Sequence, residues 1–298
     1  MITSHSWSNK NIPNLHGKTA LITGGNKGLG FQSAKELSRN GAKVILSCRD
    51  IDAGQEAKSK ILEEASQAEI EVIPLDLTDR ISIRKFSETV KQSTKNLDIL
   101  ICNAGVVNLD SHQLTKNGYE MHMATNHFGH FALTAQLLPL ILAAERSRVV
   151  VVSSLAYKAG TINFDDLNWK NREYDRLKCY GDSKLANLLF VSQLNQFLSS
   201  KNTSTIAVSA HPGLTGTERQ QTIGLGGRLA KWIASPVEKG VQPQLLAAID
   251  PKAKPNDFYG PKYGLFGKPG KSKLNPLNKQ EAVRLWELST KSTGVSFQ

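Results

Sequence analysis

A tyrosine and a lysine four residues apart carry the strongest chemical suggestion in this 298-residue sequence. The spacing Tyr-x-x-x-Lys occurs twice, as Tyr174…Lys178 and as Tyr180…Lys184. On a helix, residues four apart share a face. An ammonium held beside a phenol favours the phenolate and brings the tyrosine toward the working range of an acid. Tyr180 opens the apolar-periodic stretch YGDSKLANLLF, whereas Tyr174 lies in the charged run KNREYDRLKC with no clear helix beneath it. Tyr180 with Lys184 is therefore the expected proton donor, and Tyr174 a decoy. Such a donor needs a partner that holds a carbonyl oxygen. Ser153 and Ser154 end an apolar run, and Ser154 is the expected partner, because alternation along a strand turns Ser153 into the sheet. Asn126, in ATNHFGHFALT, is a fourth polar candidate, either holding water for a proton relay or packing a helix.

A second chemistry is legible near the start. The run Thr23-Gly24-Gly25-Asn26-Lys27-Gly28-Leu29-Gly30 follows a strand-like TALIT directly and leads into a helix. Glycines there let the turn tighten and let backbone approach a pyrophosphate, and a helix N-terminus supplies N–H donors. At the end of the next strand a carboxylate would accept the adenosine ribose hydroxyls, while a cation favours a 2′-phosphate. Cys48 stands at that place, Arg49 follows it, Asp50 comes late, and Lys27 adds a cation from the glycine turn. These residues favour NADP(H) over NAD(H), unless Lys27 and Arg49 are only solvated surface charges or Asp50 takes the carboxylate's part. Asp76 ends the third strand, where it serves either the adenine or, with Thr78, a helix N-cap. Asn103-Ala104-Gly105 follows the fourth strand; small residues admit a cofactor, and Asn103 can tie neighbouring strands together.

The elements that position these residues alternate. Thr19–Thr23, Lys43–Cys48, Glu71–Leu75, Leu97–Cys102, Arg148–Ser153 and Thr205–Ala210 read as buried strands, with amphipathic stretches between them. Phe31, Ala34 and Leu37 mark the first helix, and Leu185, Leu188, Leu189 and Leu194 a later one. Repeated strand–helix–strand units predict an α/β chain: one Rossmann-fold domain, a doubly wound parallel sheet of about seven strands with helices on both faces. Residues 1–17 form an N-terminal extension, 18–125 mainly a cofactor-binding half, 126–250 a catalytic half, and 251–298 a basic loop and closing helix. The loop Pro251–Pro276 is expected to hold at most a short strand near Phe258–Tyr259, and Lys279–Lys291 a helix.

Composition bounds the rest. Hydrophobic residues at 40 % and charged residues at 21 % exclude wholesale disorder. The net charge of +11 leaves nucleic acid, an acidic membrane surface or a polyanionic small molecule open. Residues 251–298 hold more than half of it, with nine Lys or Arg against three acids, outside the predicted cofactor mouth. No aromatic interleaving or helix-turn-helix pattern supports nucleic acid. Cys48, Cys102 and Cys179 are odd in number and widely spaced, which points to a reduced, cytoplasmic setting. The first 20 residues lack the apolar core of a signal peptide, and Phe131–Ala144 is too short to span a bilayer, so membrane contact is at most peripheral. His112, His122, His127 and His130 cluster in sequence but follow no metal-ligand pattern, so no metal is expected.

The set TGGNKGLG, NAG, Asn126, VVSS, YGDSK and His211-Pro212-Gly213 with Thr217, in order and spacing from Lys18 to about Asp250, resembles the short-chain dehydrogenases/reductases. SCRD, the segment NFDDLNWKNREYDRLKCYGDSKLAN and the HPG turn are most similar to the retinol dehydrogenase and WW-domain oxidoreductase branch. Neither a WW module nor the N-terminal anchor common in retinol dehydrogenases stands in the sequence, which leaves the substrate more open than the chemistry. The resemblance implies a catalytic tetrad of Asn126, Ser154, Tyr180 and Lys184. It places Gly24, Asn26, Lys27, Gly28, Leu29, Gly30, Arg49, Asp76, Leu77, Asn103, Ala104 and Gly105 along the cofactor, with Tyr180 and Lys184 also touching it. Pro212, Gly213 and Thr217 would border the nicotinamide carboxamide. The implied activity is reversible hydride transfer between NADP(H) and a carbonyl or alcohol, on a small lipophilic aldehyde, ketone or retinoid-like substrate, in a chain that forms homo-oligomers. Two alternatives share the fold: a light-dependent protochlorophyllide reductase-like enzyme acting on a carbon–carbon double bond, and a non-enzymatic nucleotide-sensing scaffold. Gly160–Cys179, Leu214–Pro236 and Pro251–Pro276 are expected to select the substrate. In the second of these, Leu225, Leu229, Trp232 and Ile233 suit a lid hinged at Gly224, Gly226 and Gly227, a packed core helix, or a basic membrane-surface helix.

Overall fold

Near-continuous apolar strands need cover on both faces of a sheet, and the computed structural model of the chain shows both layers. Residues 7–107, 109–215 and 235–298 are described. Strands β1 (Thr19–Thr23), β2 (Lys43–Cys48), β3 (Ile70–Pro74), β4 (Ile99–Cys102), β5 (Arg148–Val152), β6 (Ile206–Ala210), β7 (Phe258–Pro261) and β8 (Pro269–Lys271) form one sheet. Their spatial order is β3-β2-β1-β4-β5-β6-β7-β8. The first seven run parallel, and β8 turns back antiparallel on β7. The expectation of about seven parallel strands thus gains an eighth, antiparallel one. The loop expected at Pro251–Pro276 holds the β7–β8 hairpin, whose short strands carry little periodic signal of their own.

The described α-helices are α1 (Gly28–Arg39), α2 (Ile51–Glu64), α3 (Arg80–Ser93), α4 (Gly129–Ala143), α5 (Arg176–Ser200), α6 (Val237–Gly240), α7 (Gln242–Ile249) and α8 (Lys279–Thr293). Successive strand residues point to opposite faces, so each strand feeds two cores. Ala20, Ile22, Val44 and Leu46 pack with Ala34 and Leu37 of α1, Ile61 of α2 and Leu245 of α7. Leu21, Ile45, Leu100 and Val151 pack on the other face with Phe86 of α3, Phe131 of α4 and Phe190 of α5. Helix starts are capped by side chains: Asp50 for α2, Asp79 for α3, Asp175 for α5 and Asn278 for α8.

The chain leaves β1 toward β2 and β3, then returns across β1 to β4 and continues the other way. At that reversal the strand ends part and open a crevice along the carboxyl edge, which is where an open α/β sheet takes its ligand. The candidate residues at the ends of β1, β2, β4 and β5 all face this edge.

The closing helix is held by rings. The Phe131 ring lies 5.1 Å from Trp286, 5.1 Å from Phe297 and 5.6 Å from Phe190. Phe131 is fully buried and sits at the centre of the group. Phe131→Ala is expected to cost about 3–5 kcal/mol in urea unfolding, the usual loss for an aromatic removed from a packed core. A loss below about 1 kcal/mol would show that α8 does not depend on this cluster.

Candidate active site

The glycine turn is a backbone cradle. Gly24 and Gly28 hold left-handed dihedrals, with φ of 66° and 57°. A Cβ on Gly30 would lie 2.1 Å from the Gly24 carbonyl oxygen, so only glycine lets α1 start this close to the turn. Asn103 ties the neighbouring strand ends together, its Nδ2 donating to the Thr23 carbonyl at 2.8 Å. Beside this cradle lies a cavity of about 520 Å³ lined by Asn26, Lys27, Arg49, Asp76, Leu77, Ala104 and Gly105, among others. A second cavity of about 300 Å³ shares Gly24, Lys27, Ala104, Gly105 and Val106 with the first. Gly28, Leu29, Asn103, Ser154, Tyr180, Lys184, Pro212 and Gly213 also line it. All the expected cofactor residues among the described ones except Gly30, and three of the four expected catalytic ones, therefore border two cavities that share a wall. Thr217 and most of the expected lid lie outside the described residues.

The rim near β2 carries two cations. Cys48 ends β2, buried, and its thiol donates to the Asp50 carbonyl at 2.9 Å. Burial raises the thiol above its ordinary range, with Asp50 adding to the effect. The Asp50 carboxylate accepts the Ala53 N–H at 3.1 Å and so caps α2. Asp76 accepts both the N–H and the hydroxyl of Thr78, at 2.8 and 2.7 Å. It does not cap α3, and neither does Thr78: Asp79 does, accepting from Ile81. The N-cap alternative for Asp76 or Thr78 is thereby corrected, and Asp76 remains on the cavity wall.

At the catalytic end, Tyr180 and Lys184 stand one turn apart in α5, with Lys184 Nζ 5.5 Å from the Tyr180 ring centroid. Nζ donates to the Val152 carbonyl at the end of β5, at 3.0 Å, which fixes a long flexible side chain beside the ring. Ser154 follows β5, half-buried, its hydroxyl accepting the Ala156 N–H. Ser153 is buried and donates to the Lys184 carbonyl at 2.9 Å, so it ties β5 to α5. Tyr174 lies ahead of α5 and donates its hydroxyl to the Leu109 carbonyl at 3.0 Å.

Asn126 sits in a π-helical stretch, Met123–Phe128, that runs into α4. Such stretches widen a helix locally and recur at functional sites. Its Oδ1 accepts the Val106 N–H at 2.8 Å; its Nδ2 donates to the Val106 carbonyl at 3.1 Å and to Ser183 at 2.9 Å. The side chain thus clamps the loop after β4 to α5. A Cβ on Gly105 would approach Asn126 Oδ1 to 2.9 Å, which explains a glycine there.

His130 completes the lattice, a role the sequence did not announce. Its Nδ1 faces the Asn126 carbonyl at 2.9 Å, an atom that can only accept, so Nδ1 carries the proton. Its Nε2 then accepts from the Thr23 hydroxyl at 2.9 Å. That hydroxyl in turn accepts the N–H groups of Asn103 and Ala104, each at 2.9 Å. A protonated imidazole would push a second donor at an oxygen whose lone pairs are already engaged. Burial holds His130 down to about 4; the Asn126 carbonyl opposes that shift and the positive Lys184 adds to it.

The four histidines do not converge. His112 bonds the Asn168 carbonyl, His127 bonds Ser289, and His122 bonds Glu120. Among the described residues one group with ligand-like spacing does form, Glu120, His122 and Cys179, whose atoms lie within 4.8 Å of one another. Glu120 already accepts the backbone N–H groups of His122 and Met123, and burial keeps the Cys179 thiol well above its ordinary range. The His122 ring stands edge-on to Tyr180 at 5.9 Å, a neighbour that no motif in the sequence marks.

The family model of the short chain dehydrogenases matches residues 18–226. The chain belongs to this family. Among its relatives, mouse retinol dehydrogenase 14 is 38 % identical over 94 % of this chain and 87 % of its own length. Human retinol dehydrogenase 12 is 36 % identical over 95 % of the chain and 89 % of its own length. The crystal structure of an uncharacterised Mycobacterium paratuberculosis protein superposes with a TM-score of 0.83 at 35 % identity, covering 98 % of this chain and 99 % of that one. This short-chain dehydrogenase therefore has retinol dehydrogenases among its relatives over nearly its whole length, and oxidoreductase chemistry on a nicotinamide cofactor is the family's activity.

The His130 lattice has a pH signature. The unfolded imidazole takes a proton near 6.5 and the folded one only near 4. Across that window the unfolded state binds more protons, so stability falls as pH falls. From about pH 7 to pH 4 the stability advantage of wild type over His130→Asn is expected to shrink by about 3 kcal/mol. Urea unfolding at both pH values checks this; a constant gap would show that His130 is not held neutral.

Proposed function

We propose that the protein is an NADP(H)-dependent carbonyl reductase, reversible as an alcohol dehydrogenase, acting on a lipophilic aldehyde, ketone or retinoid-like substrate. The observation that carries the cofactor choice is the cavity rim: Lys27 and Arg49 both line it, Cys48 ends β2 where a ribose-binding carboxylate would stand, and Asp50 is engaged as the cap of α2. A 2′-phosphate suits two cations; two free ribose hydroxyls suit a carboxylate. The glycine cradle fits the pyrophosphate, since side chains are absent where the backbone must approach it and α1 begins there. When bound, NADP(H) supplies the hydride donor or acceptor.

The chain's own residues then handle position and proton. The Ser154 hydroxyl orients the carbonyl oxygen toward Tyr180. Tyr180 gives that oxygen its proton during reduction and takes it back during oxidation. Lys184, held by the Val152 carbonyl, keeps a positive charge beside the ring and stabilises the negative charge left on the phenolic oxygen. Asn126 acts through Val106 and Ser183, holding the cavity floor and α5 in one arrangement. Val106, Val107, Val152 and Val237 give the smaller cavity an apolar wall, which supports a lipophilic substrate. The names of the retinol dehydrogenase relatives support the same class. Ser154, Tyr180 and Lys184 on one cavity favour an enzyme over a nucleotide-binding scaffold. Free thiols at Cys48, Cys102 and Cys179 support a reduced, cytoplasmic setting. No described helix is long and apolar enough to cross a membrane.

Two measurements test this reading. Tyr180→Phe should lower turnover of an aldehyde panel by about 10²–10⁴ while the NADPH dissociation constant stays within about twofold, as expected when the acid is lost and the other cofactor contacts persist. Retained activity would remove Tyr180 from its role. Replacing Lys27 and Arg49 together by Ala should raise KM for NADPH about tenfold or more and leave KM for NADH nearly unchanged, the pattern of a lost charge-assisted phosphate contact. A wild-type preference for NADH would overturn the cofactor choice.

A further inference from the structure

We propose that the tip of the β7–β8 hairpin is a docking surface for an anionic lipid bilayer. Singly exposed apolar residues need no explanation, but a group of them does. Eight large apolar side chains are exposed among the described residues, and three of them, Tyr263, Leu265 and Phe266, fall within four residues at this tip. Tyr263 is 75 % exposed, Leu265 46 % and Phe266 36 %. The turn that presents them is closed by its own backbone. Lys262 N–H donates to the Lys268 carbonyl at 2.9 Å, and Tyr263 N–H to the Phe266 carbonyl at 3.0 Å. The apolar side chains are therefore held outward by an ordered turn that needs no further ordering on contact.

The charge around them has one sign. From Phe258 to Gln280 the sequence has five lysines, Lys262, Lys268, Lys271, Lys273 and Lys279, and no acid. Lys271 is paired with Asp257 at 2.6 Å, but no salt bridge among the described residues engages Lys262, Lys268 or Lys273. An exposed apolar tip flanked by Lys262 and Lys268 matches a bilayer of anionic lipid: the rings and Leu265 enter the headgroup boundary while the ammonium groups meet lipid phosphates. A protein partner would need a complementary pocket for the tip and acids for its lysines; the bilayer offers both without a specific shape.

The tip also lies beside the catalytic end. The Leu265 carbonyl accepts the Leu214 N–H at 3.0 Å, and Leu214 continues the Pro212–Gly213 wall of the smaller cavity. A Cβ on Gly264 would come within 3.6 Å of Leu155, the neighbour of Ser154. Docking by this face brings the cavity close to the membrane surface, where lipophilic carbonyls partition. The docking itself does not depend on which substrate or cofactor the enzyme uses.

The test is co-sedimentation of the full chain with vesicles. One set is phosphatidylcholine containing roughly one third phosphatidylglycerol, the other phosphatidylcholine alone. Wild type should sediment with the anionic set at least about tenfold more strongly, and added salt should weaken it. Tyr263→Ser with Phe266→Ser, and separately Lys262→Gln with Lys268→Gln, should each lower that binding about tenfold or more, since each lysine near such a surface strengthens binding about fivefold. Unchanged melting temperatures show that the variants fold, and the lysine pair stands as an independent arm if the apolar pair does not. Equal sedimentation of wild type with both vesicle sets, absence of binding, or folded variants that bind like wild type would each overturn the proposal. So would binding to immobilised polyglutamate in place of vesicles, which would assign the tip to an acidic protein.

Discussion

One hydroxyl organises the centre of this molecule. Thr23 Oγ accepts two consecutive backbone N–H groups from the loop after β4 and gives its own proton to His130. His130 passes the constraint to the Asn126 carbonyl, and the Asn126 side chain passes it to Val106 and to Ser183 in α5. The glycine turn, the cavity floor and the helix that carries Tyr180 and Lys184 are thus joined by hydrogen bonds through the buried Thr23, His130, Asn126 and Ser183. Buried polar groups are costly when unpaired, so a chain of this kind holds one arrangement and resists partial loosening. The neutral state of His130 is part of the lattice, because only the neutral ring supplies one donor and one acceptor in the directions required.

Around that centre the charges divide by task. Lysine and arginine at the cavity rim face the proposed phosphate, and Lys184 inside the fold faces the phenol. More than half of the net charge lies in residues 251–298, a stretch that includes the hairpin with its exposed apolar side chains. The pI of about 9.5 therefore says little about the cofactor, while its distribution says a good deal about the surface.

Much of this is legible in the sequence. The buried strands, the glycine turn and the helical setting of Tyr180 all follow from local pattern, because parallel strands are apolar throughout and a four-residue spacing has meaning only on a helix. Tyr174 fails for the same local reason. What escaped reading depends on contacts between distant segments. Asn126 was open between holding water and packing, and only the approach of Val106 and Ser183 shows it clamping both. Asp79, three residues beyond Asp76, takes the cap of α3, a choice that neighbouring acids leave open in sequence. His130 reads as one histidine in a cluster of four until Thr23 is placed against it. Strand β8 spans three residues, Pro269–Lys271, and is defined by its pairing with β7 more than by its composition.

The central claim is that the cofactor floor and the catalytic helix form one preorganised unit before any ligand binds. Amide hydrogen exchange of the cofactor-free protein tests it most directly. The N–H groups of Asn103, Ala104 and Val106 lie in a loop, yet each donates into the Thr23–His130–Asn126 lattice. Preorganisation predicts that they exchange as slowly as the amides of β4, through global unfolding. Rapid, loop-like exchange that slows only when NADPH is added would contradict it.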